Sequence, residues 1–446
     1  MPNHAPEDVV VIGAGVVGAA TLYMLSSYTG LKRLVLLDKS GVCQGNSHPT
    51  QNAQTLHDGA IEHYSAEKAK EVKAASSMVA RFVASCDSHV SRRLPRMLLA
   101  VGEAETVKLA RRHEEFQALF PNLKRLSPAQ IAAVEPAVMD GRESNEPVRA
   151  LWDEDGLAVN FGGLALQFVH RASKSKCITR LLAPWHRVRS VVYNGDAYRV
   201  ETESKTIFAR AVVLAAGAYS LAFAHQMGLG LDYAILPVAG GFYESKCVLR
   251  GKVYRMQVEG VPFAAIHADP DIQNPNLMRF GPTACVVPFY DRRERLKSGL
   301  DFAKSALSRP AVLRGFARIG KNRRLLAYAL RSACYGVPIL GRALFLREVQ
   351  KIIPRLGYSD LRPAPRLGGI RPQMVNLRTG EVVMGEGKIV GARIVCDVSP
   401  SPGASTCLKN GLVNARLISR MLSAPFHEDK FACDFPEVAE ASRNWR

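Results

Sequence analysis

The sequence predicts an α/β fold, α+β overall, in which two domains are woven together by repeated chain crossings. Three observations predict it. Near the N-terminus a short apolar run, "DVVVI" at 8–12, enters the turn Gly13-Ala14-Gly15-Val16-Val17-Gly18; the turn opens a packed helix that leads to a second buried strand, "RLVLL" at 33–37. Far downstream, short strands cluster at 186–220 around the hairpin signal Asn194-Gly195, and "ARIVCDV" supplies another strand before a C-terminal helix. No internal repeat and no low-complexity linker divides the chain into beads.

Each element has a local reason. Residues 16–28 have the length and composition of a packed helix, and 65–90 are alanine-rich and begin on Ser-x-x-Lys, which predicts a long helix. Residues 127–138 predict a short helix stopped near Pro136. The chain then turns through Gly156 and enters a helix at 161–173. Apolar positions at 408, 412, 415, 418 and 422 recur at helical spacing and define the last helix.

At 446 residues the chain exceeds what a single core usually holds, and 47% hydrophobic with 22% charged residues is a folded composition. Nine scattered cysteines without a C-x-x-C pair suggest neither a disulfide framework nor a thiolate metal site, and a reducing compartment fits best. The N-terminus reaches a strand by residue 8 with no signal-peptide pattern, and no uncharged run approaches the ~18 residues of a membrane span. Net charge is 59 − 40 = +19, with eleven Lys or Arg against one acid, Glu348, between Arg309 and Arg355. Basic and bulky apolar positions interleave there, which suits helices lying on an anionic membrane surface and equally suits a solvated face over a core. Nucleic acid is not expected, because no recognition motif accompanies the charge.

The motif G-x-G-x-x-G at Gly13, Gly15 and Gly18 follows a strand, opens a helix and is succeeded by Asp38 at the end of the next strand. The glycines allow a tight turn and close backbone approach to a pyrophosphate, the helix N-terminus faces that anion, and the carboxylate can accept ribose hydroxyls, which makes this a Rossmann-type dinucleotide site. A second small-residue loop, Ala215-Ala216-Gly217, favours FAD over a nicotinamide, although alone it also reads as an ordinary strand-to-helix turn. In "SPSPGAST", Pro402, Gly403, Ala404 and Ser405 shape a loop at a helix beginning near Ala404; its free N–H groups would face the anionic pyrimidine end of a reduced flavin, or simply cap the helix. The polar stretch 47–64 puts Ser47 beside the cofactor and Gln54 and His57 within reach of a small polar substrate, unless it is a surface loop. Arg371, between two glycines and a proline, offers a fixed guanidinium for a carboxylate, although alone it also reads as a surface charge among 59 basic residues. His267 stands between an apolar run and two aspartates, as a base or as a satisfied core histidine.

The segments "NAQTLHDGAIEHYSAEKAKEV", "DYAILPVAGGFYESKCVLRGKVY", "VPFAAIHADPD", "MRFGPTA", "QKIIPRL", "IRPQMVN" and "SPSPGASTCLKNGLVNA" occur in this order from residue 52, and with the N-terminal turn they extend from residue 8 to about 420. Together they resemble the shorter branch of the malate:quinone oxidoreductases, within the D-amino-acid-oxidase-like superfamily of FAD-dependent oxidoreductases. The resemblance implies FAD bound by a discontinuous Rossmann-type domain (1–65, 151–225 and 365–430) against a substrate domain (66–150 and 226–364) built on a mixed, largely antiparallel sheet. It implies oxidation of (S)-malate to oxaloacetate, a step of the tricarboxylic acid cycle. A membrane quinone would accept the electrons, and attachment would be peripheral, at the cytoplasmic face of the inner or plasma membrane. It also points to His57, His267 and Arg371 as active-site positions. The nearest different activity is oxidation of L-2-hydroxyglutarate, whose enzymes carry "VRAQ" where this chain has "IRPQ"; other hydroxy-acid or amino-acid flavin oxidases are the wider alternative.

The expected mechanism has Arg371 fixing the substrate carboxylate and His57 with Gln54 orienting the remaining oxygens, so that C2–H faces flavin N5. His267 would take the hydroxyl proton as hydride leaves C2, its ring oriented by Asp269 or Asp271. No residue is assigned to a covalent flavin link, and His48 leaves that question open.

Overall fold

The computed structural model describes residues 5–445 apart from 63–64, 88, 184–185, 258–264 and 384. His63, Tyr64 and the "VPFA" half of the segment leading to His267 therefore lie outside the described residues.

Strand Glu7–Ile12 lies at the centre of the first eight-stranded sheet, parallel to Arg33–Leu37 on one side and Thr206–Leu214 on the other. Ile178–Leu182 and Ile394–Val398 extend the parallel set at either edge, and Gly387–Gly391 closes one edge antiparallel. The run Val9–Ile12 is continuously apolar because both faces of the sheet are covered. Val9, Val11, Leu34 and Leu36 pack with helices Val16–Tyr28, Phe161–Ser173 and Cys407–Met421. Val10, Ile12, Val35 and Leu37 face helix Ala218–Gln226 and the meander Val188–Tyr193, Tyr198–Thr202.

The second eight-stranded sheet runs in the order Arg362–Ala364, Phe242–Lys246, Leu277–Gly281, His267–Pro270, Lys252–Arg255, Arg96–Val101, Val148–Asp153, Lys124–Leu126. Every pairing is antiparallel except Lys252–Arg255 with Arg96–Val101, so the sheet is mixed and largely antiparallel as expected. A three-stranded sheet joins Cys285–Val286, Tyr233–Ala239 and Ile370–Asn376. Segment 365–430 thus contributes to both halves of the molecule, pairing with Tyr233–Ala239 at one end and carrying the Rossmann-type strand Ile394–Val398 at the other.

Three elements differ from the sequence expectation. The long helix is Ala66–Ala84, ending where Ser85 leaves the helical run, not at 90. Residues 127–138 break into Pro128–Val134 and Pro136–Met139, because Pro136 cannot continue the first helix and instead starts the second. The last helix begins at Cys407, not Ala404, since residues 401–406 form turns in which the N–H groups of Gly403 and Ser405 donate to Pro400 O and Pro402 O at 2.6 and 2.7 Å.

The basic segment 309–355 folds as helices Pro310–Gly320, Arg323–Cys334 and Leu340–Gln350. The third packs into the substrate-side core through Phe345 and Val349, and Glu348 pairs with Arg255, Arg331 and Lys351. Exposed apolar side chains start earlier than the basic run, at Leu296 and Leu300 of helix Arg295–Leu307, and continue through Leu326, Leu330, Ile339 and Leu340. Among the described residues no helix is long and apolar enough to cross a membrane.

Candidate active site

A cleft of about 1180 Å3 is lined from both large sheets, and it gathers Gly13, Gly15, Asp38, Ser47, Gln54, His57, Ala215, Ala216, Gly217, His267, Arg371 and the loop 402–405. Gly18 lies behind the lining. A Cβ on it would sit 1.8 Å from Gly13 O, so this glycine serves helix-to-turn packing. Gly13, at φ +106°, would bring a Cβ within 2.4 Å of Ala215 O; its bare backbone is what lets the two glycine-bearing loops touch.

Asp38 braces the turn as well as facing the cleft. Its carboxylate accepts the Ala14 N–H at 2.9 Å and the Ser40 and Gly41 N–H groups at 2.8 and 3.1 Å. Ser47 Oγ accepts the Val16 N–H at 2.9 Å, capping the helix that points its positive end into the cleft. The expected free N–H groups of loop 402–405 are reduced in number, because Gly403 and Ser405 use theirs within the turn. The Ser405 hydroxyl instead accepts the His57 N–H at 2.8 Å, linking this loop to the first histidine.

The two cleft histidines are built alike. His57 Nδ1 lies 2.5 Å from Glu62 Oε1, and the other oxygen of Glu62 accepts the Gly59 N–H at 2.9 Å. Burial would raise the Glu62 pKa, but the charges of His57 and Arg96 outweigh it and hold the carboxyl well below its usual range. His267 Nδ1 lies 2.6 Å from Asp269 Oδ2, a close contact whose angle departs from that of a hydrogen bond. Spacing of two along strand His267–Pro270 puts the pair on one face. Burial again opposes the charge of Asp269, and His267 and Lys252 overcome it, so its pKa is lowered. With a carboxylate against Nδ1 in both rings, Nε2 is the nitrogen left to a ligand.

Asp269, not Asp271, is the partner of His267. Asp271 lies past the strand end, paired with Arg279 and accepting the Gln273 N–H at 2.8 Å.

Beneath the histidines a row of charged side chains crosses the sheet. Register pairs Asp153 with Arg96, Arg96 with Lys252, and Asp269 with Arg279, while Lys252 Nζ lies 3.5 Å from Asp269 Oδ1. Five adjacent strands therefore each place one charge in line, and all five side chains are buried. The phenol of Tyr254 contacts Thr55 Oγ1 at 2.9 Å, and its ring lies 4.7 Å from that of His267.

Arg371 lines the cleft from strand Ile370–Asn376. Asn46 grips this strand at the preceding residue, accepting the Ile370 N–H at 3.0 Å and donating to Ile370 O at 2.5 Å. Burial raises the pKa of the Tyr328 phenol, and the charge of Arg371 pulls it back, which ties the guanidinium to helix Arg323–Cys334.

Two expectations change at this site. The Gln54 amide is 1% exposed and bonded to backbone at both ends, donating to Pro49 O at 3.3 Å and accepting the Ile272 N–H at 3.1 Å. It ties the first loop to the segment just past the strand of His267 while still lining the cleft, and these two bonds use one of its two N–H donors and one of its two oxygen lone pairs. His48 is not among the residues that line the cleft, although Ser47 beside it is; its Nδ1 meets Thr50 Oγ1 at 2.8 Å at the head of the turn Pro49–Gln51. Sequence reading missed Glu62, Arg96, Lys252 and Tyr254. Glu62 follows His57 by five residues in an irregular loop with no periodicity to signal it, and the other three depend on strand register.

A cleft of this size, with a glycine cradle, a helix N-terminus and two bare loops meeting at it, fits an extended dinucleotide. The family model for FAD-dependent oxidoreductases of the DAO type matches residues 8–402, and the chain belongs to that family. Its FAD would be held by the turn at Gly13 and Gly15, by Asp38, and by loops 215–217 and 402–405. Within the family the chain is 35% identical over 441 residues to a probable malate:quinone oxidoreductase of Campylobacter jejuni, covering 96% of this chain and 98% of that one. It is 34% identical to the malate:quinone oxidoreductase of Helicobacter pylori strain J99, with 97% and 99% covered. The chain is thus a member of the malate:quinone oxidoreductase group. Among solved structures, glycine oxidase from Geobacillus kaustophilus matches with a TM-score of 0.65 at 18% identity, over 94% of this chain and 95% of that one. L-α-glycerophosphate oxidase from Mycoplasma pneumoniae with FAD bound matches with a TM-score of 0.65 at 17% identity, over the same shares. These two share the fold.

Proposed function

We propose that the protein oxidises (S)-malate to oxaloacetate and passes the electrons to a membrane quinone. The observation that carries this reading is the trio of His57, His267 and Arg371 on the lining of one cleft, each histidine with a carboxylate against its Nδ1. The names of the relatives supply the substrate and the acceptor.

Arg371 binds a substrate carboxylate through paired N–H donors and so fixes which end of the molecule enters. His57, with Nδ1 on Glu62, donates or accepts through Nε2 at the second carboxylate or the hydroxyl. His267, with Nδ1 toward Asp269, removes the hydroxyl proton through Nε2, and the ionised Asp269 stabilises the imidazolium that results. FAD, when bound, supplies the acceptor for the hydride leaving C2, at flavin N5. Gln54 keeps the first loop in place and touches no reacting atom. Segments 1–65, 151–225 and most of 365–430 carry the cofactor, while 66–150 and 226–364 carry the substrate side.

The quinone lives in the bilayer, so the protein must dock there as a peripheral protein, in this reading at the cytoplasmic face. Leu296, Leu300, Leu326, Leu330, Ile339 and Leu340 are exposed on or between helices that also expose Arg314, Lys321 and Arg324, a pairing that suits an anionic membrane surface. Helix Arg323–Cys334 then exposes Leu326 and Leu330 while its Tyr328 feels the charge of Arg371.

The test is reduction of a soluble quinone by the purified holoprotein with (S)-malate, (R)-malate, L-lactate and L-2-hydroxyglutarate compared at equal concentration. (S)-Malate is expected to give the highest kcat/KM. A preference for L-2-hydroxyglutarate, or peroxide formation without quinone reduction, would overturn the reading.

A further inference from the structure

We propose that Lys252 is a positioning residue for the proton-accepting histidine: from the row of charges beneath the cleft it fixes the charge state of the Asp269–His267 pair, and so sets the pH below which His267 can no longer take the substrate's proton. The proposal rests on His267 being the base of the reaction above.

Neither Lys252 nor Asp269 lines the cleft, so neither touches substrate. Lys252 is fully buried, and its ammonium is surrounded by the carbonyl of Ala53 at 2.5 Å, the hydroxyl of Thr55 at 2.6 Å and Asp269 Oδ1 at 3.5 Å. Its neighbour across the parallel ladder is Arg96, a like charge already occupied with Asp58 and Asp153. Arg279, on the far side of Asp269, is paired with Asp271. The two oxygens of Asp269 have no aligned hydrogen bond among the described residues. The groups that meet this carboxylate are the His267 ring in front and the Lys252 ammonium behind, with Arg279 more remote. A buried ammonium works against its own desolvation. Burial first, and then the charges of Arg279 and Arg96 against the pull of Asp269, bring the pKa of Lys252 down to about 8.

The sign of the effect follows from the charge of the pair. With His267 neutral and Asp269 ionised, the pair carries one negative charge, and an adjacent cation favours that state. The pair takes up a proton as a unit, and loss of the cation must move that uptake to higher pH, whichever of the two groups holds the proton. The proton-accepting form is then lost at a pH where the parent still retains it.

Two measurements on the holoprotein test this. In the first, kcat/KM for (S)-malate is followed against pH in the parent, Lys252→Met, Asp269→Asn and the double variant. The acid limb is expected to move up by about one pH unit or more in Lys252→Met, and to move no further when Lys252→Met is added to Asp269→Asn, since the lysine acts through the aspartate. In the second, the protein carries 13Cε1-labelled histidine and the His267 signal is assigned by its loss in His267→Asn. In the parent that signal is expected to show a further inflection near pH 8 as Lys252 discharges, a readout independent of turnover and of whether Lys252→Met folds. An unmoved acid limb in Lys252→Met with a lowered Tm alone, or a His267 signal in the parent with no inflection near pH 8, would overturn the proposal. A parent that turns over no malate defeats the functional reading, and the signal still decides the role of Lys252.

Discussion

The two histidines of the cleft share a plan and differ in what stands behind them. His57 sits on an irregular loop, its carboxylate partner five residues away in sequence, and the cation behind that partner is Arg96, which stays charged at every working pH. His267 sits on a central strand, its partner two residues away on the same face, and the cation behind is Lys252, whose pKa is about 8. A guanidinium backs the histidine assigned to binding, and a titratable ammonium backs the histidine assigned to proton transfer. In the proposed roles, the difference teaches how one plan can serve two tasks: a fixed charge stands behind the binding contact, and a charge that itself titrates stands behind the base.

The largest effect should separate the two directly. His267→Asn is expected to lower kcat by about 10²–10⁴ with little change in KM, the range for loss of a general base. His57→Asn should act mainly on KM, and steady-state kinetics with (S)-malate distinguishes them. If His57→Asn gave the greater loss in kcat, the two roles would have to be exchanged. Next in size is Arg371→Lys: a point charge replaces the fork, and kcat/KM should fall by about 100-fold, mostly through KM.

Smaller effects probe the carboxylates. Glu62→Gln leaves the position of His57 to weaker contacts and should cost about 10-fold in kcat/KM, in the range of one hydrogen bond to a charged group. Both Glu62 and Asp269 have folded pKa values below their unfolded ones, so the stability they contribute is complete above the unfolded carboxyl values and is lost as pH falls through the folded ones. Thermal melts from pH 7 down to 3 should show Tm falling toward acid, less steeply in Glu62→Gln than in the parent. The smallest effect on turnover should come from reversing Arg314, Lys321 and Arg324 to Glu. Reduction of a soluble quinone should be unchanged, while sedimentation with anionic vesicles weakens by about 1 kcal/mol per cation.

The cradle was legible because its physics is local. Gly13, Gly15 and Gly18 act within a few residues of one another, and helices 16–28 and 161–173 run where the sequence predicts them. Pairing of His267 with an aspartate could be read from alternation along a strand, but the choice of Asp269 over Asp271 depended on where that strand ends. Lys252 and Arg96 were not legible at all. They are neighbours only through a parallel pairing between segments about 150 residues apart in sequence, and no local pattern specifies that register. The place of Gln54 beside the cleft was legible, but its backbone ties were not, because a polar loop residue gives no sign that its amide will bond Pro49 and Ile272.

The central claim is that His267, held toward Asp269, removes the hydroxyl proton of a malate anchored by Arg371. Its most direct test is rapid anaerobic mixing of the FAD-loaded protein with (S)-malate, following loss of the yellow colour in the parent and in His267→Asn. The parent should bleach in a single fast phase, and the variant should bleach at least about 100-fold more slowly while binding malate with similar affinity. Equal rates in the two proteins, or a parent that (S)-malate leaves yellow, would contradict the account.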